Sequence, residues 1–122
     1  CRTGIRRGLM HSAHDVSDGG LAVALTECSL SRLGGIVGAT VNIDDEMRAD
    51  ALLFGECPSR ILISVAPENV DQMLTISKGL GASATKIGVV GGATLNINNS
   101  MSINLSELYN EWIRTIPKLA GE

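Results

Sequence analysis

The sequence predicts a mixed α/β domain of the α+β kind, with helices interleaved with strands around one sheet and a close in antiparallel hairpins. Three observations predict it. Apolar residues recur at helical spacing in Leu21, Ala24, Leu25 and Cys28, and again in Leu108, Trp112 and Ile116. The run from Arg60 to Ala66 is nearly continuous in apolar residues, as a strand buried on both faces would be. Gly91-Gly92 and Asn98-Asn99 punctuate the last third as turns do. At 122 residues, 44% of them hydrophobic, the chain can bury one core without metals or disulfides.

The elements follow in order. CRTGIRRGLM keeps a helix-like spacing in Ile5, Leu9 and Met10, and it does not start with Met. The chain therefore reads as a piece of something larger, entered partway through an element. Ser12 to Val16 alternates polar and apolar, which suits a short strand running into a turn at Ser17-Asp18-Gly19-Gly20. The helix from Leu21 ends near Gly34-Gly35, and Ile36 to Ile43 reads as a strand. A short helix from about Asp45 to Leu53 is broken by Gly55 and Pro58. After the Arg60–Ala66 strand, Pro67 suits a helix's first turn. Val70, Met73, Leu74 and Ser77 form that helix's inward stripe, and Gly79 and Gly81 stop it. Thr85 to Val90 is a strand, and Gly91-Gly92 makes a hairpin turn with Ala93 to Ile97 returning. A second turn at Asn98-Asn99-Ser100 leads to a strand through Leu105. Ser106 then caps a last helix that Pro117 ends.

Composition narrows the function. A net charge of −3, with the only basic cluster at Arg2, Arg6 and Arg7, argues against a nucleic-acid or membrane surface. Phe54, Tyr109 and Trp112 are the only aromatic residues, too few for stacking bases. No apolar run reaches the roughly 18 residues of a membrane span, and no signal-peptide pattern is present, so the expected location is the cytoplasm. Cys1, Cys28 and Cys57 are odd in number without CxxC spacing, which excludes a disulfide framework and a zinc site. Cys28 falls on an apolar helix face and reads as core. There is no GxxxxGK[ST] and no GxSxG, and the spacing of Gly88-Val-Val-Gly-Gly92 misses GxGxxG.

Two polar clusters remain. In HSAHDVSDGGLAVALTE, glycines before a helix let amides converge where the helix carries partial positive charge, which would suit a phosphate. Ser17 or Asp18 as N-cap would satisfy the same donors internally. A carboxylate there also repels phosphate unless Mg²⁺ bridges the two. His14 and Asp15 point to opposite faces of a strand, so they form no acid–base pair with each other, and a metal shared by His11 and His14 is disfavoured. In LFGECPSR, Glu56 and Arg60 stand at a strand's mouth, where they could pair with each other or meet an anionic ligand.

SAHDVSDGGLAVALTE and LFGECPSR together resemble the C-terminal domain of the aminoimidazole ribonucleotide (AIR) synthetase-related superfamily. Among its members the chain is most similar to the last domain of the large, amidine-forming synthetase subunits of purine biosynthesis. The resemblance covers nearly the whole chain. It implies a three-layer α/β/α sandwich, partly like a ferredoxin fold, and makes residues 1–122 one domain of a larger multidomain synthetase. It also implies an ATP- and Mg²⁺-dependent ligation, in which the formyl-amide oxygen of formylglycinamide ribonucleotide is activated by phosphoryl transfer. Ammonia from glutamine then displaces phosphate. The implied partners are the N-terminal ATP-binding domains of the same chain, a glutaminase subunit and a small bridging subunit.

In such enzymes the principal catalytic histidine, the Mg²⁺ carboxylates and most ATP contacts lie in other domains. The resemblance therefore makes His14, Asp15, Ser17, Asp18, Gly19, Gly20, Glu56 and Arg60 cleft-facing or nucleotide- and phosphate-binding candidates, none of them catalytic. The domain alone is expected to be inactive and to hold no cofactor tightly. Glu56-Cys57-Pro58 stands where Glu-Ser-Gln is typical, which removes two hydrogen-bonding side chains. The competing readings are a stand-alone small-ligand-binding or oligomerisation module, and the same domain from a selenophosphate synthetase, a thiamine-phosphate kinase or a hydrogenase maturation protein.

Overall fold

The structure, a computed structural model, describes residues 1–30, 35–44 and 46–121, apart from the side chain of residue 116. Gly34, at the predicted end of the second helix, and Asp45, at the predicted start of the third, lie outside the described residues. The chain divides into two compact units, Cys1–Ala24 with Arg48–Lys86, and Leu25–Met47 with Ile87–Glu122.

In the first unit α1 (Arg2–Arg6) precedes β1 (Met10–Asp15), which begins two residues earlier than its alternation suggests. β1 pairs antiparallel with β3 (Ile61–Val65), with Asp15 opposite Ile61, Met10 opposite Val65 and a register shift between Met10 and Ser12. β3 is not buried on both faces as its apolar run predicts. Ile61 is 51% exposed and the rest of the strand is half-buried, in a sheet that holds β1 and β3 alone among the described residues. α2 (Gly20–Ser29) begins in this unit, and α3 (Ala49–Phe54) is a short helix that buries Leu52 and Leu53. At its start the guanidinium of Arg48 holds the Asp50 carboxyl below its ordinary range through paired bonds of 2.6 and 2.7 Å.

Pro67 opens a 3₁₀ turn (Pro67–Asn69) that leads into α4 (Val70–Gly79). Pro costs nothing there, since the first amides of a helix have no partner within it. Met73 is the buried residue of the α4 stripe, and Val70, Leu74 and Ser77 are half-buried. The helix closes as its glycines predict. The amide of Ala82 reaches the Ser77 carbonyl and that of Gly81 reaches Lys78, the bond pair of a Schellman end.

The second unit holds a four-stranded sheet in the order β4 (Gly88–Val90), β2 (Ala39–Val41), β5 (Thr94–Ile97), β6 (Met101–Asn104). Its two middle strands, β2 and β5, alternate in burial. Ala39, Val41, Leu95 and Ile97 are buried, while Thr40 and Ser102 are exposed on the opposite face. Burying Leu95 and Ile97 stabilises by about 1.5–3 kcal/mol each. β2 and β4 are shorter than Ile36–Ile43 and Thr85–Val90 suggest. The expectation of one sheet fails as well: among the described residues the strands form two sheets, one in each unit.

The predicted hairpin at Gly91-Gly92 does not form. β4 and β5 are not neighbours; β2 lies between them, antiparallel to β4 and parallel to β5. Gly38 makes this possible. Its amide donates to the Gly92 carbonyl at 2.8 Å, and its carbonyl accepts from the Gly91 amide at 2.7 Å. A Cβ on Gly38 would overlap the Thr94 carbonyl oxygen. The second turn forms as expected: Asn98 and Asn99 both adopt positive φ, and the Ser100 amide closes onto the Ile97 carbonyl.

α5 (Leu105–Ala120) is capped by Asn104 rather than Ser106, because the strand ends a residue earlier than predicted and Asn is an equally good cap. Asn104 Oδ1 accepts from the amides of Ser106 and Glu107 at 3.0 and 3.3 Å. Pro117 does not end the helix either. It removes one donor near the C-terminus, and the chain continues helical to Ala120. Leu105 is fully buried, Leu108 half-buried, and Trp112 52% exposed. The helix and strand content is thus of the mixed α+β class.

Candidate functional site

All eight candidate residues lie in the first unit, and its backbone brings the two clusters together. The antiparallel ladder sets Asp15 against Ile61 and His14 against Leu62, so the loop leaving β1 emerges beside the turn entering β3. The Val16 amide extends the ladder by donating to the Arg60 carbonyl at 2.9 Å.

The double glycine is required by conformation. Gly19 and Gly20 sit at φ of +79° and +76°, where a side chain is strained. Gly20 also lies against the end of α3. A Cβ there would stand 2.7 Å from the Leu53 carbonyl oxygen and the Phe54 carbonyl carbon.

The two amides of this pair are used internally. That of Gly20 donates to the Ser17 carbonyl at 3.1 Å, and that of Gly19 donates to Glu56 Oε1 at 3.1 Å. Where the sequence suggests Ser17 or Asp18 as the acceptor, the carboxylate of Glu56 fills that place. An anion cradle built on these two amides is therefore not what the fold presents. Glu56 and Arg60 do not pair; among the described residues the ion pair the structure shows joins Arg48 to Asp50.

His14 is half-buried, and its Nδ1 lies 2.7 Å from the Asp15 carbonyl oxygen. A carbonyl only accepts, so Nδ1 carries the proton. His14 and Asp15 are thus linked through the backbone and not as an acid–base pair of side chains, as strand geometry requires. Asp15, Ser17 and Glu56 are exposed and Arg60 is half-buried.

Two features of the site escape the sequence reading. Ser59 adopts φ of +67°, an uncommon conformation for a side-chain-bearing residue, in the turn between Pro58 and Arg60. The backbone of Leu53 and Phe54 forms the surface that excludes a side chain at Gly20. The only signal for the second was the LFGE stretch itself, and no residue type signalled the first.

Among the described residues no three His, Cys, Asp or Glu side chains converge on a metal position. A depression of about 420 Å³ lies in the second unit over Thr40, Asn96, Asn99, Ser100, Met101 and Ser102, and includes none of the candidates.

Residues 1–97 match the family described as AIR synthase related protein, C-terminal domain. A phosphoribosylformylglycinamidine synthase subunit PurL from Anaeromyxobacter sp. (strain Fw109-5) is 39% identical over 95% of this chain and 16% of its own length. The same subunit from Moorella thermoacetica is 44% identical over 94% of this chain and 16% of its own. The chain thus spans about one sixth of the length of these relatives. In fold it is similar to the T. maritima PurL solved in complex with ATP, with a TM-score of 0.74 at 19% identity, over 88% of this chain and 20% of that one. With the family's pattern running through β1, α2, α3, β3 and on to β5, the chain belongs to the AIR synthase related protein family as a C-terminal domain of that type.

Proposed function

We propose that the chain is the C-terminal domain of a phosphoribosylformylglycinamidine synthase, and serves the ATP- and glutamine-dependent conversion of formylglycinamide ribonucleotide to the amidine. The observation that carries this reading is the 39–44% identity to PurL subunits over nearly the whole chain. On this reading residues 1–122 form one domain of a multidomain synthetase in the cytoplasm. No helix among the described residues is long and apolar enough to cross a membrane. Its partners are the ATP-binding domains of the same polypeptide, a glutaminase and a small bridging subunit. A PurLQS structure from Thermotoga maritima is among the proteins of similar fold.

Within the site, His14, Asp15, Ser17, Asp18 and Arg60 supply the side chains that face the interdomain cleft, and Gly19 and Gly20 shape the loop that carries them. Mg²⁺ and ATP serve the full enzyme. Among the described residues no three His, Cys, Asp or Glu side chains converge on a metal position, and the amides of Gly19 and Gly20 already have acceptors within the chain, which supports a reading in which Mg²⁺–ATP is held by other domains. No chemical step is assigned to residues of this chain.

Incubation of the full-length protein with formylglycinamide ribonucleotide, ATP, Mg²⁺ and ammonia tests the reading, with product identified by mass spectrometry. The amidine is expected from the full-length protein and none from residues 1–122. Calorimetry of residues 1–122 with Mg²⁺–ADP is expected to show no saturable heat. Amidine from the short chain, selenophosphate or thiamine diphosphate from the long one, or tight nucleotide binding by the short chain would overturn it.

A further inference from the structure

The segment from Leu53 to Arg60 grips the loop from Val16 to Gly20 at three places. At Val16 the grip is a backbone bond to the Arg60 carbonyl. At Gly20 it is close packing on the backbone of Leu53 and Phe54. At Gly19 it is the bond to Glu56 Oε1, the only one of the three made by a side chain and formed across 37 positions of sequence. Between the outer anchors stand Ser17, Asp18 and Gly19, and Gly19 has the greatest backbone freedom of the three. The bond from the Gly20 amide to the Ser17 carbonyl closes this stretch as a turn, and the Glu56 carboxylate is the side chain that ties the turn to the segment after α3.

We propose that Glu56 is a positioning residue: by holding the Gly19 amide it fixes the direction in which Ser17 and Asp18 project. It acts through the loop and touches no ligand. Being charged, it makes a stronger bond than a neutral acceptor would. Glu56→Gln keeps an acceptor of the same length and weakens the bond, and Glu56→Ala removes it.

Amide hydrogen exchange on the 122-residue chain reads the structural part. In Glu56→Ala the Gly19 amide is expected to exchange about tenfold faster, with a smaller change in Glu56→Gln and none at Val16. The functional part rests on the proposed ligase reading. In the full-length synthetase kcat/KM for ATP is expected to fall in Glu56→Ala and to recover largely in Glu56→Gln. A purely stabilising role would lower the melting temperature without that split. Should the alanine variant not fold, Glu56→Gln against the native chain gives the same comparison at Gly19. Unchanged exchange at Gly19, or faster exchange with native kinetics, overturns the proposal. If the native full-length protein makes no amidine, the ligase reading fails, and the exchange result alone decides the role of Glu56.

Discussion

Asn104 meets two of the four amides that the start of α5 leaves without partners, and its Nδ2 lies 3.4 Å from Glu107 Oε1. Asn104→Ala is expected to destabilise the chain by about 1 kcal/mol, read as a lower melting temperature, while Asn104→Asp keeps most of the loss away. The thiols give a second check at this scale. Burial, with a smaller contribution from the charge of Glu27, pushes the Cys28 thiol above its ordinary range, while Cys1 and Cys57 are exposed. Less thiolate at neutral pH means slower alkylation. Iodoacetamide followed by mass spectrometry should modify Cys1 and Cys57 well before Cys28; equal rates would contradict the burial of α2. The residues of the candidate site were legible as a cluster because their types are those of helix starts and turns. Their partners were not, since Ser17, Asp18 and Glu56 are equally plausible acceptors for Gly19 until the turns are in place.

The elements divide by the range of the forces that define them. α4 and its end were legible from Pro67, Met73, Gly79 and Gly81, because a helix bonds only to its own neighbours in sequence. The Asn98-Asn99 turn was legible for the same reason. Gly91-Gly92 misled, since a glycine pair between two apolar runs signals a hairpin, and nothing local reveals that a third strand inserts between them. That insertion depends on Gly38, whose backbone lies between the chain at Gly91-Gly92 and the start of β5. Gly38→Ala is therefore expected to destabilise by about 2 kcal/mol or more, since the added methyl meets backbone and not a movable side chain. Urea unfolding measures this. Tolerance of the methyl would argue against β2 lying between β4 and β5. Ser106 and Pro117 misled by a few residues only, as helix ends do when several residues compete for the cap.

For the whole molecule, composition, helical periodicity and turn residues determined the mixed α+β class and marked out the two polar motifs. The resemblance carried by those motifs pointed to the family that the comparisons then showed. These are properties of short stretches, set by backbone sterics and by which faces of an element can be buried, so the sequence by itself contains them. Only the tertiary structure decided the strand order β4-β2-β5-β6, the half-exposure of β3 and the grip of Glu56 on Gly19. Each joins residues tens of positions apart. Such contacts depend on which surfaces meet after the elements form, and a pattern within any one element does not record that choice.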